Sequence, residues 1–475
     1  MKIALIHPLY RHKIFSENLR VVDEEFCQAP PIILAYVASI LRQAGHKVIL
    51  IDAYTLRLSK KKVLGILRNF KPDFLGFRLE SYHFHNTLDW IKTLKSELGI
   101  PIIVGGINLK LYLKESLFYQ EIDYGILDDA LESLPKLLRA LAESRDLRTI
   151  EGLAYRHKGK LMINPPSDKA IGFDNFPFPA RDLLPNDKYV SFLSKRKNFT
   201  IMVTSRGCPY NCYFCAISNS QVYEERSAQN VVDEIEECYH KYNIREIDFF
   251  DATFFFNKKR FFEISKEMKK RNIKIEWSCR SRVDVVDEDI IKEAKSIGCR
   301  QILFGIESAD QQVLQGIQKK ISIEKVKDSI KLCRKYNILT MGFFMIGNPG
   351  ETRDSINRSI KFAKDLGLDF VQFCRAIAKP NSGLNEILKS KTGKDYWSDY
   401  MLGKEKERRM LTPWVDLSQE EIEYYTVKAY RSFYFRPVHI LKITLKVKSF
   451  SEFVKYLRVG LRMLFGNKKE YDLKR

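Results

Sequence analysis

Three cysteines stand together in this 475-residue chain, in the stretch Thr204-Ser-Arg-Gly-Cys208-Pro-Tyr-Asn-Cys212-Tyr-Phe-Cys215. The spacing is C-x3-C-x2-C, close enough for three thiolates to hold one metal centre without long-range help. Structural zinc takes four ligands, and no fourth Cys or His lies nearby. Ferredoxin-type clusters also normally take four cysteines. A 4Fe–4S cluster on three cysteines leaves one iron open, and an open coordination site implies catalysis rather than structure. The other six cysteines, Cys27, Cys238, Cys279, Cys299, Cys333 and Cys374, are scattered singly and read as buried reduced thiols. An odd total of nine, in a chain large enough to build its own core, points to the cytosol.

The loop has to be carried by something. It follows a strand-like segment, Thr200–Ser205, which opens a β/α alternation. Further strands are expected at Glu246–Phe250, Lys274–Cys279, Gln301–Gly305, Thr340–Ile346 and Asp369–Arg375, with helical stretches between them. Six such units form a curved parallel sheet or partial barrel over residues 196–385, whose chemistry belongs in the loops after each strand. Residues 1–145 alternate in the same way and imply a separate doubly wound, Rossmann-like parallel sheet. Between the two, residues 146–195 hold Pro165, Pro166, Pro177, Pro179 and Pro185 and read as a proline-rich linker. Residues 386–475 break the rhythm and read as a mainly helical, basic region.

The composition is that of an ordinary globular α/β protein, 45% hydrophobic and 29% charged, with a net charge of +21 that favours an anionic partner. No apolar run approaches the roughly 18 residues of a membrane-spanning helix. From Arg431 to Arg475 the chain has twelve Lys/Arg against three acids, a net of +9. Within it Phe450, Phe453, Val454, Leu457, Leu461, Leu464 and Phe465 recur at helical spacing as one apolar stripe, with Lys455, Arg458 and Arg462 off it. Such a helix suits an anionic bilayer surface, or packs on the barrel with a solvated basic face. Leu441–Lys448 alternates strictly and also fits a strand.

The cysteine stretch resembles the signature of the radical S-adenosylmethionine (SAM) superfamily, and the resemblance runs over roughly residues 1–385. It implies that Cys208, Cys212 and Cys215 ligate the cluster. The open iron then chelates SAM, whose one-electron cleavage gives a 5′-deoxyadenosyl radical that abstracts hydrogen from an unactivated carbon. It places Phe214 near the adenine, and Asp251 and Thr253 near the SAM amino group, against the plainer reading of Asp251 as a strand-end cap. Arg280 and Arg282 are placed to pair with the SAM carboxylate, a surface ion pair being the alternative. Glu307 and Ser308 end the fourth strand beside the ribose diol. Gly347 lets backbone approach the ligand, and Glu351 is expected to cap the next helix.

The set resembles the branch whose members carry an N-terminal cobalamin-binding domain. Pro30–Ala38 is similar to its first helix, and Gly105-Gly106 to the glycines that cradle the cobalamin tail. Two stretches depart from the pattern: Gly76-Phe-Arg78-Leu-Glu80-Ser81 after the third strand, and Leu127-Asp128-Asp129-Ala130 before the last helix. No D-x-H-x-x-G stretch supplies a cobalt ligand, and His83 and His85 read as exposed loop histidines, with cobalt ligation by one of them as the alternative. The resemblance implies methyl transfer to a lipid-like or secondary-metabolite substrate, with cyclisation or rearrangement as the alternative outcome. An external reductant such as flavodoxin or ferredoxin supplies the electron. A tRNA methylthiotransferase would carry three further cysteines in the first domain, where residues 1–200 hold only Cys27. A nucleic-acid-binding iron–sulfur protein would leave the SAM-site stretches without a purpose. The expected location is cytoplasmic, at the inner face of the membrane if the tail docks there.

Overall fold

The computed structural model describes residues 1–10, 19, 22, 27–167, 171–196, 198–217, 223–405, 410–446 and 450–465. They form two compact units, divided near residues 189 and 190.

The first unit is built on a seven-stranded sheet in the order β2-β1-β3-β4-β5-β6-β7. β1 (Lys2–His7) lies between β2 (Lys47–Asp52) and β3 (Phe74–Arg78), with β4 (Ile102–Gly105) and β5 (Tyr124–Ile126) beyond, all parallel. The order reverses at β1, which puts a topological switch point at the carboxyl ends of β1 and β3. Helices α1 (Ile32–Gln43), α2 (Lys60–Phe70) and α3 (Phe84–Leu98) make the first three crossovers, short helical turns at Ile107–Leu111 and Leu113–Ser116 make the fourth, and α4 (Ser133–Ala142) follows β5. α1 buries Leu34, Ala35, Ile40 and Leu41, and the chain leaves it through Gly45 at φ +83°. Burying each large aliphatic side chain of this kind contributes about 1.5–3 kcal/mol. The proline-rich stretch is not a plain linker. It supplies β6 (Leu153–His157) and β7 (Lys160–Ile163), an antiparallel hairpin that extends the sheet. Their turn, Lys158-Gly159, has φ +48° and +79°, the left-handed pair that a tight hairpin requires. A late segment, Tyr396–Met401, also belongs to this unit.

The second unit is a six-stranded, all-parallel sheet in sequential order: β8 (Phe199–Met202), β9 (Glu246–Phe249), β10 (Glu276–Ser281), β11 (Cys299–Glu307), β12 (Leu339–Ile346) and β13 (Phe370–Arg375). Sequential parallel order with helical crossovers gives the expected partial barrel. Helices α5 (Ala228–Lys241), α6 (Lys258–Lys270), α7 (Glu288–Ser296), α8 (Ile323–Lys335) and α9 (Arg353–Asp365) cover its outer face. Each starts at a capping side chain: Ser227, Asn257, Asp287, Ser322 and Thr352. Loss of such a cap typically costs about 1 kcal/mol. The capping role expected of Glu351 is thus taken by Thr352, in a box with Ser355. Trp277, Phe249, Phe254 and Phe261 form an aromatic cluster in the core.

The inner face of the half-barrel is covered from the tail. α10 (Gln419–Tyr434) packs against β13, burying Tyr430 and Phe433. Residues 437–446, which also fitted a strand, form helix α11 (Pro437–Lys446). α12 (Phe450–Phe465) follows, but it docks through a face rotated from the apolar stripe. Val459 and Met463 are buried, Tyr456 meets Phe192 and Phe370 edge-on or tilted, and the Lys455 ammonium donates to the carbonyls of Phe192 and Ser194 at 2.7 and 3.2 Å. The stripe residues Phe453, Leu457, Leu461 and Leu464 stay half exposed. Among the described residues no helix is long and apolar enough to cross a membrane.

Candidate active site

The three-cysteine loop leaves the half-barrel after β8 and is held at several points. Tyr213 N–H donates to the Ile317 carbonyl, and Leu384 N–H to the Tyr213 carbonyl. The Asn381 amide donates to Ala216 O at 3.1 Å. Gly383 leaves room for the Tyr213 ring, which an added Cβ would meet at 2.7 Å. Cys212 is buried, while Cys208 and Cys215 are partly accessible. Burial pushes the Cys212 thiol up from its ordinary pKa, and the charges of Lys319 and Arg282 pull it back down. The Arg282 guanidinium lies 3.6 Å from Cys212 Sγ and 3.8 Å from the centre of the Tyr210 ring. The two cations offset part of the cost that burial puts on a thiolate at this sulfur. Among the described residues no three His, Cys, Asp or Glu side chains converge on a point that would hold a single metal ion. A cluster makes a different demand, since each cysteine ligates its own iron and the sulfurs need not meet. The loop, its cationic surroundings and its three thiols fit such a cluster.

The predicted neighbours sort into distinct jobs. Arg282 forms a two-pronged pair with Asp284, both bonds at 2.8 Å, and donates to the Lys319 carbonyl at 2.8 Å. Glu307 ends β11 at φ +70°, a left-handed conformation that is costly for a non-glycine residue. Its carboxylate pairs with the buried Lys319 ammonium at 3.1 Å. Lys319 also stands 5.7 Å from the centre of the Phe214 ring. Gly305 makes room for this pair, because a Cβ there would come within 2.7 Å of both side chains. Phe214, Glu307, Lys319, Arg282 and the cysteine loop are therefore linked by direct contacts. Arg280 lies further along the inner face, paired with Asp248 at 3.0 Å and stacked 3.9 Å over Phe250.

The hydrogen bonds show what the other expected residues touch within the chain itself. Asp251 is fully buried and accepts from Thr204 N at 2.7 Å, from the Thr204 hydroxyl and from Ser205 Oγ at 2.8 Å. It clamps the root of the cysteine loop rather than presenting an open carboxylate to a ligand, and the buried Thr253 beside it shares that packed position. Ser308 Oγ is engaged with Ser359 Oγ at 3.2 Å and accepts from Asp310 N, which makes it part of a turn. Gly347, at φ +89°, faces protein: an added Cβ would meet Ile422 at 3.1 Å, and Trp414 Nε1 donates to its carbonyl at 2.8 Å. Glu351 accepts from Gly347 N and Asn348 N at 2.6 and 3.0 Å and closes this turn.

In the first unit, Gly105 ends β4, and a Cβ there would meet no atom within 4 Å, which leaves its backbone open to close approach by a cofactor. Gly106 has a different reason. At φ +116°, its missing Cβ would lie 2.7 Å from the Leu79 carbonyl oxygen. His83 and His85 are not exposed loop histidines. His83 is buried and stacked on Tyr10 at 3.9 Å, and His85 Nε2 lies 2.6 Å from the Tyr400 carbonyl. These features fit a corrin held without a histidine from a D-x-H-x-x-G stretch.

A doubly wound sheet with an open glycine end, and a parallel half-barrel carrying three thiols after its first strand, define an iron–sulfur radical enzyme with a corrin-type domain. Residues 202–363 match the model of the radical SAM superfamily, and residues 26–138 that of the B12-binding domain. An uncharacterized methyltransferase of Pyrococcus horikoshii is 32% identical over 455 residues, covering 93% of this chain and 94% of that protein. An anaerobic magnesium-protoporphyrin IX monomethyl ester cyclase of Rubrivivax gelatinosus is 27% identical, covering 82% and 70%. Among solved structures, the radical SAM methyltransferase TsrM from Kitasatospora setae, with cobalamin and a [4Fe-4S] cluster bound, aligns with TM-score 0.65. That alignment has 19% identity and covers 82% of this chain and 75% of that one. The chain belongs to the radical SAM superfamily, in the branch that carries a B12-binding domain.

Residues such as Lys319, Tyr210 and Thr204 were not singled out in the sequence. Lys319 follows a short helix, Gln311–Gly316, and reaches Glu307 only through the fold. Tyr210 had a readable signal, an aromatic residue inside the cysteine spacing.

Proposed function

We propose that this enzyme transfers a methyl group to an unactivated carbon of a lipid-like or secondary-metabolite substrate. The observation that carries the reading is the Cys208–Cys215 loop with Arg282 against the Cys212 sulfur, together with the methyltransferase named among the relatives. The cofactors that the family implies would supply hydrogen abstraction through a cluster and SAM, and a methyl group through cobalamin. The chain's own part is to hold and screen them. Cys208, Cys212 and Cys215 would bind the cluster. Phe214, Glu307 and Arg282 would line the SAM side, with Lys319 fixing Glu307. Gly105 would receive the corrin tail, with Gly106 turning the backbone beside it. A small-molecule substrate and an external one-electron reductant, such as flavodoxin or ferredoxin, complete the reaction.

The net charge of +9 over residues 431–475 supports an anionic membrane surface as a partner, and a cytoplasmic enzyme at the inner face of the membrane. Nothing in the charge pattern beyond the overall excess supports nucleic acid. A second reading, ring formation, is supported by the cyclase relative. Anaerobic reconstitution with iron, sulfide and hydroxocobalamin tests the proposal. The wild type should gain cluster absorbance near ~400 nm, retain about one corrin per chain and convert SAM to S-adenosylhomocysteine. Changing all three cysteines to Ala should abolish the cluster and SAM cleavage but not corrin retention. A full cluster in that variant would sink the assignment. SAM cleavage without S-adenosylhomocysteine would favour cyclisation or rearrangement.

A further inference from the structure

The register of the second sheet puts Arg280, Leu303, Met341 and Phe370 side by side on one face, each paired across to the next strand. Phe343 and Gln372 repeat the row two residues on. A parallel sheet is normally covered on both faces. Here α10 and α12 cross the inner face without filling it, and a cavity of about 440 Å³ remains between them and the strands. Protein interiors rarely hold voids much larger than a water molecule. Ligand sites, in contrast, typically measure about 300–1,000 Å³. Apart from Arg280 and Gln372 the strand side of the cavity is apolar, and the helix side is mainly so, with Leu457, Leu461 and Leu464 beside Thr444 and three tyrosines.

The cavity has a polar end and an apolar mouth. Arg280 marks the polar end. It is two residues from Arg282, about 7 Å along an extended strand, and Arg282 touches Cys212. Ile440 and Thr444 of α11 and Phe453 of α12 line the other end. Around them lies an unusual surface. Ten of the twenty-two exposed large hydrophobic side chains among the described residues belong to α11 and α12. Val438, Leu441 and Leu445 form a stripe along α11 at 79, 61 and 77% exposure. Arg458 and Arg462 are exposed on α12, within the stretch of net charge +9. Apolar stripes flanked by cations are the pattern of helices that lie in an anionic bilayer surface.

We infer that this cavity is the binding site for the apolar body of a membrane lipid, of acyl or isoprenoid type, which enters from an anionic bilayer between α11 and α12. The lipid's role as substrate rests on the proposed methyl-transfer function, but its binding does not. The apolar body fills the row from Leu303 to Phe370. The end nearest Arg280 carries the carbon that faces the cysteine loop. The tail therefore does two things: α11 meets the bilayer, and α12 forms one wall of the site.

Gly460 offers a clean test. It lines the cavity, and an added Cβ meets no atom within 4 Å. Gly460→Phe should occupy the space without disturbing the helix, whereas Gly460→Ala should leave it open. The probe is cis-parinaric acid, measured by fluorescence on the full chain, first dissolved and then carried in phosphatidylglycerol vesicles. Wild type and Gly460→Ala should bind the dissolved probe, and Gly460→Phe at least tenfold more weakly, with an unchanged thermal midpoint and unchanged iron content. Equal binding by Gly460→Phe, or no binding by the wild type, overturns the site. The double variant Leu441→Glu/Leu445→Glu should bind dissolved probe normally, but fail to sediment with vesicles or take probe from them. Undiminished uptake from vesicles overturns the bilayer route. Cluster content and SAM cleavage in the same preparations report separately on the radical SAM reading. A chain that binds probe but cleaves no SAM would fail that reading and leave the lipid site standing.

Discussion

The Arg282 guanidinium lies 3.6 Å from Cys212 Sγ while its other nitrogens are fixed by Asp284 and by the Lys319 carbonyl. A cation pinned in this way cannot swing away when the sulfur is neutral. It is therefore in place before the thiolate forms. Groups that orient and charge-balance metal ligands typically carry about 10–100-fold in metal affinity. Arg282→Met should lower cluster loading by about that factor, and Arg282→Lys should recover part of it. Iron per chain, titrated during anaerobic reconstitution, checks this; equal loading in wild type and Arg282→Met would count against a role for the cation.

Asp251 serves the same loop from its other end. Asp251→Ala leaves Thr204 N, Thr204 Oγ1 and Ser205 Oγ without their acceptor. Each buried group left unpaired costs about 1–3 kcal/mol. The variant should lose several kcal/mol in denaturant melts even before iron is added. Asp251→Asn, which keeps one carbonyl oxygen, should lose less. A variant that loses SAM affinity alone, at full stability, would support the expectation that this carboxylate faces SAM.

The two glycines that end β4 should separate cleanly. Gly106→Ala forces a Cβ to within 2.7 Å of the Leu79 carbonyl oxygen at a positive φ, a strain of about 1–3 kcal/mol. It should lower the thermal midpoint. At Gly105 an added Cβ meets no atom within 4 Å, so Gly105→Ala should fold normally and retain less hydroxocobalamin. Corrin absorbance per chain, read beside the melting curves, distinguishes the two effects.

Glu351 predicts a pH dependence. Burial raises its pKa to about 7, while the amides of Gly347 and Asn348 pull the other way. Its second oxygen, Oε1, is buried with no hydrogen-bond partner among the described residues. The folded state therefore holds a proton that the unfolded state releases near the ordinary carboxylate value. This contribution is fully present at pH values below the unfolded pKa and is lost as pH rises through about 7. Glu351→Gln should flatten that decline. Thermal midpoints of the two proteins at pH 5 and pH 8 should converge at the lower value and separate at the higher one. Parallel curves would show that Glu351 does not titrate in this range.

Much of this was readable from the chain because the local signals agreed with one another. Lys47–Asp52 is apolar, β-branched and bounded by Gly45, and it folds as β2 with those limits. The six barrel strands were likewise set by apolar runs between capped helices. The hairpin Leu153–Ile163 was hidden by its context. Its Lys158-Gly159 turn and short alternating strands are clear signals, but prolines nearby suggested a linker. Glu307 and Ser308 show where a motif stops being informative. Adjacent in sequence, they turn to different neighbours, Lys319 and Ser359, and only the left-handed backbone at Glu307 separates them. The tail helix was legible as a helix, but its docking face was not. The bond from Lys455 to two carbonyls draws a charged residue inward, and hydrophobic periodicity carries no trace of that.

The segment Tyr396–Met401 sets a condition on synthesis. It belongs to the first unit, although more than 200 residues separate it from β7. Trp397 and Met401 are fully buried, with Trp397 edge-on to Tyr82. Tyr119 donates to the Met401 carbonyl at 2.6 Å, and Ser398 to Glu115 at 2.7 Å. A chain emerging from the ribosome can form the first sheet early, but it cannot seal that unit until residue 401 has been made. Until then the sheet waits with an unfilled seat for a tryptophan, through the whole translation of the half-barrel. Long-range closure of this kind is slow and leaves apolar surface exposed. The order of assembly is therefore not the order of the domains: the unit that begins the protein is among the last parts to be completed.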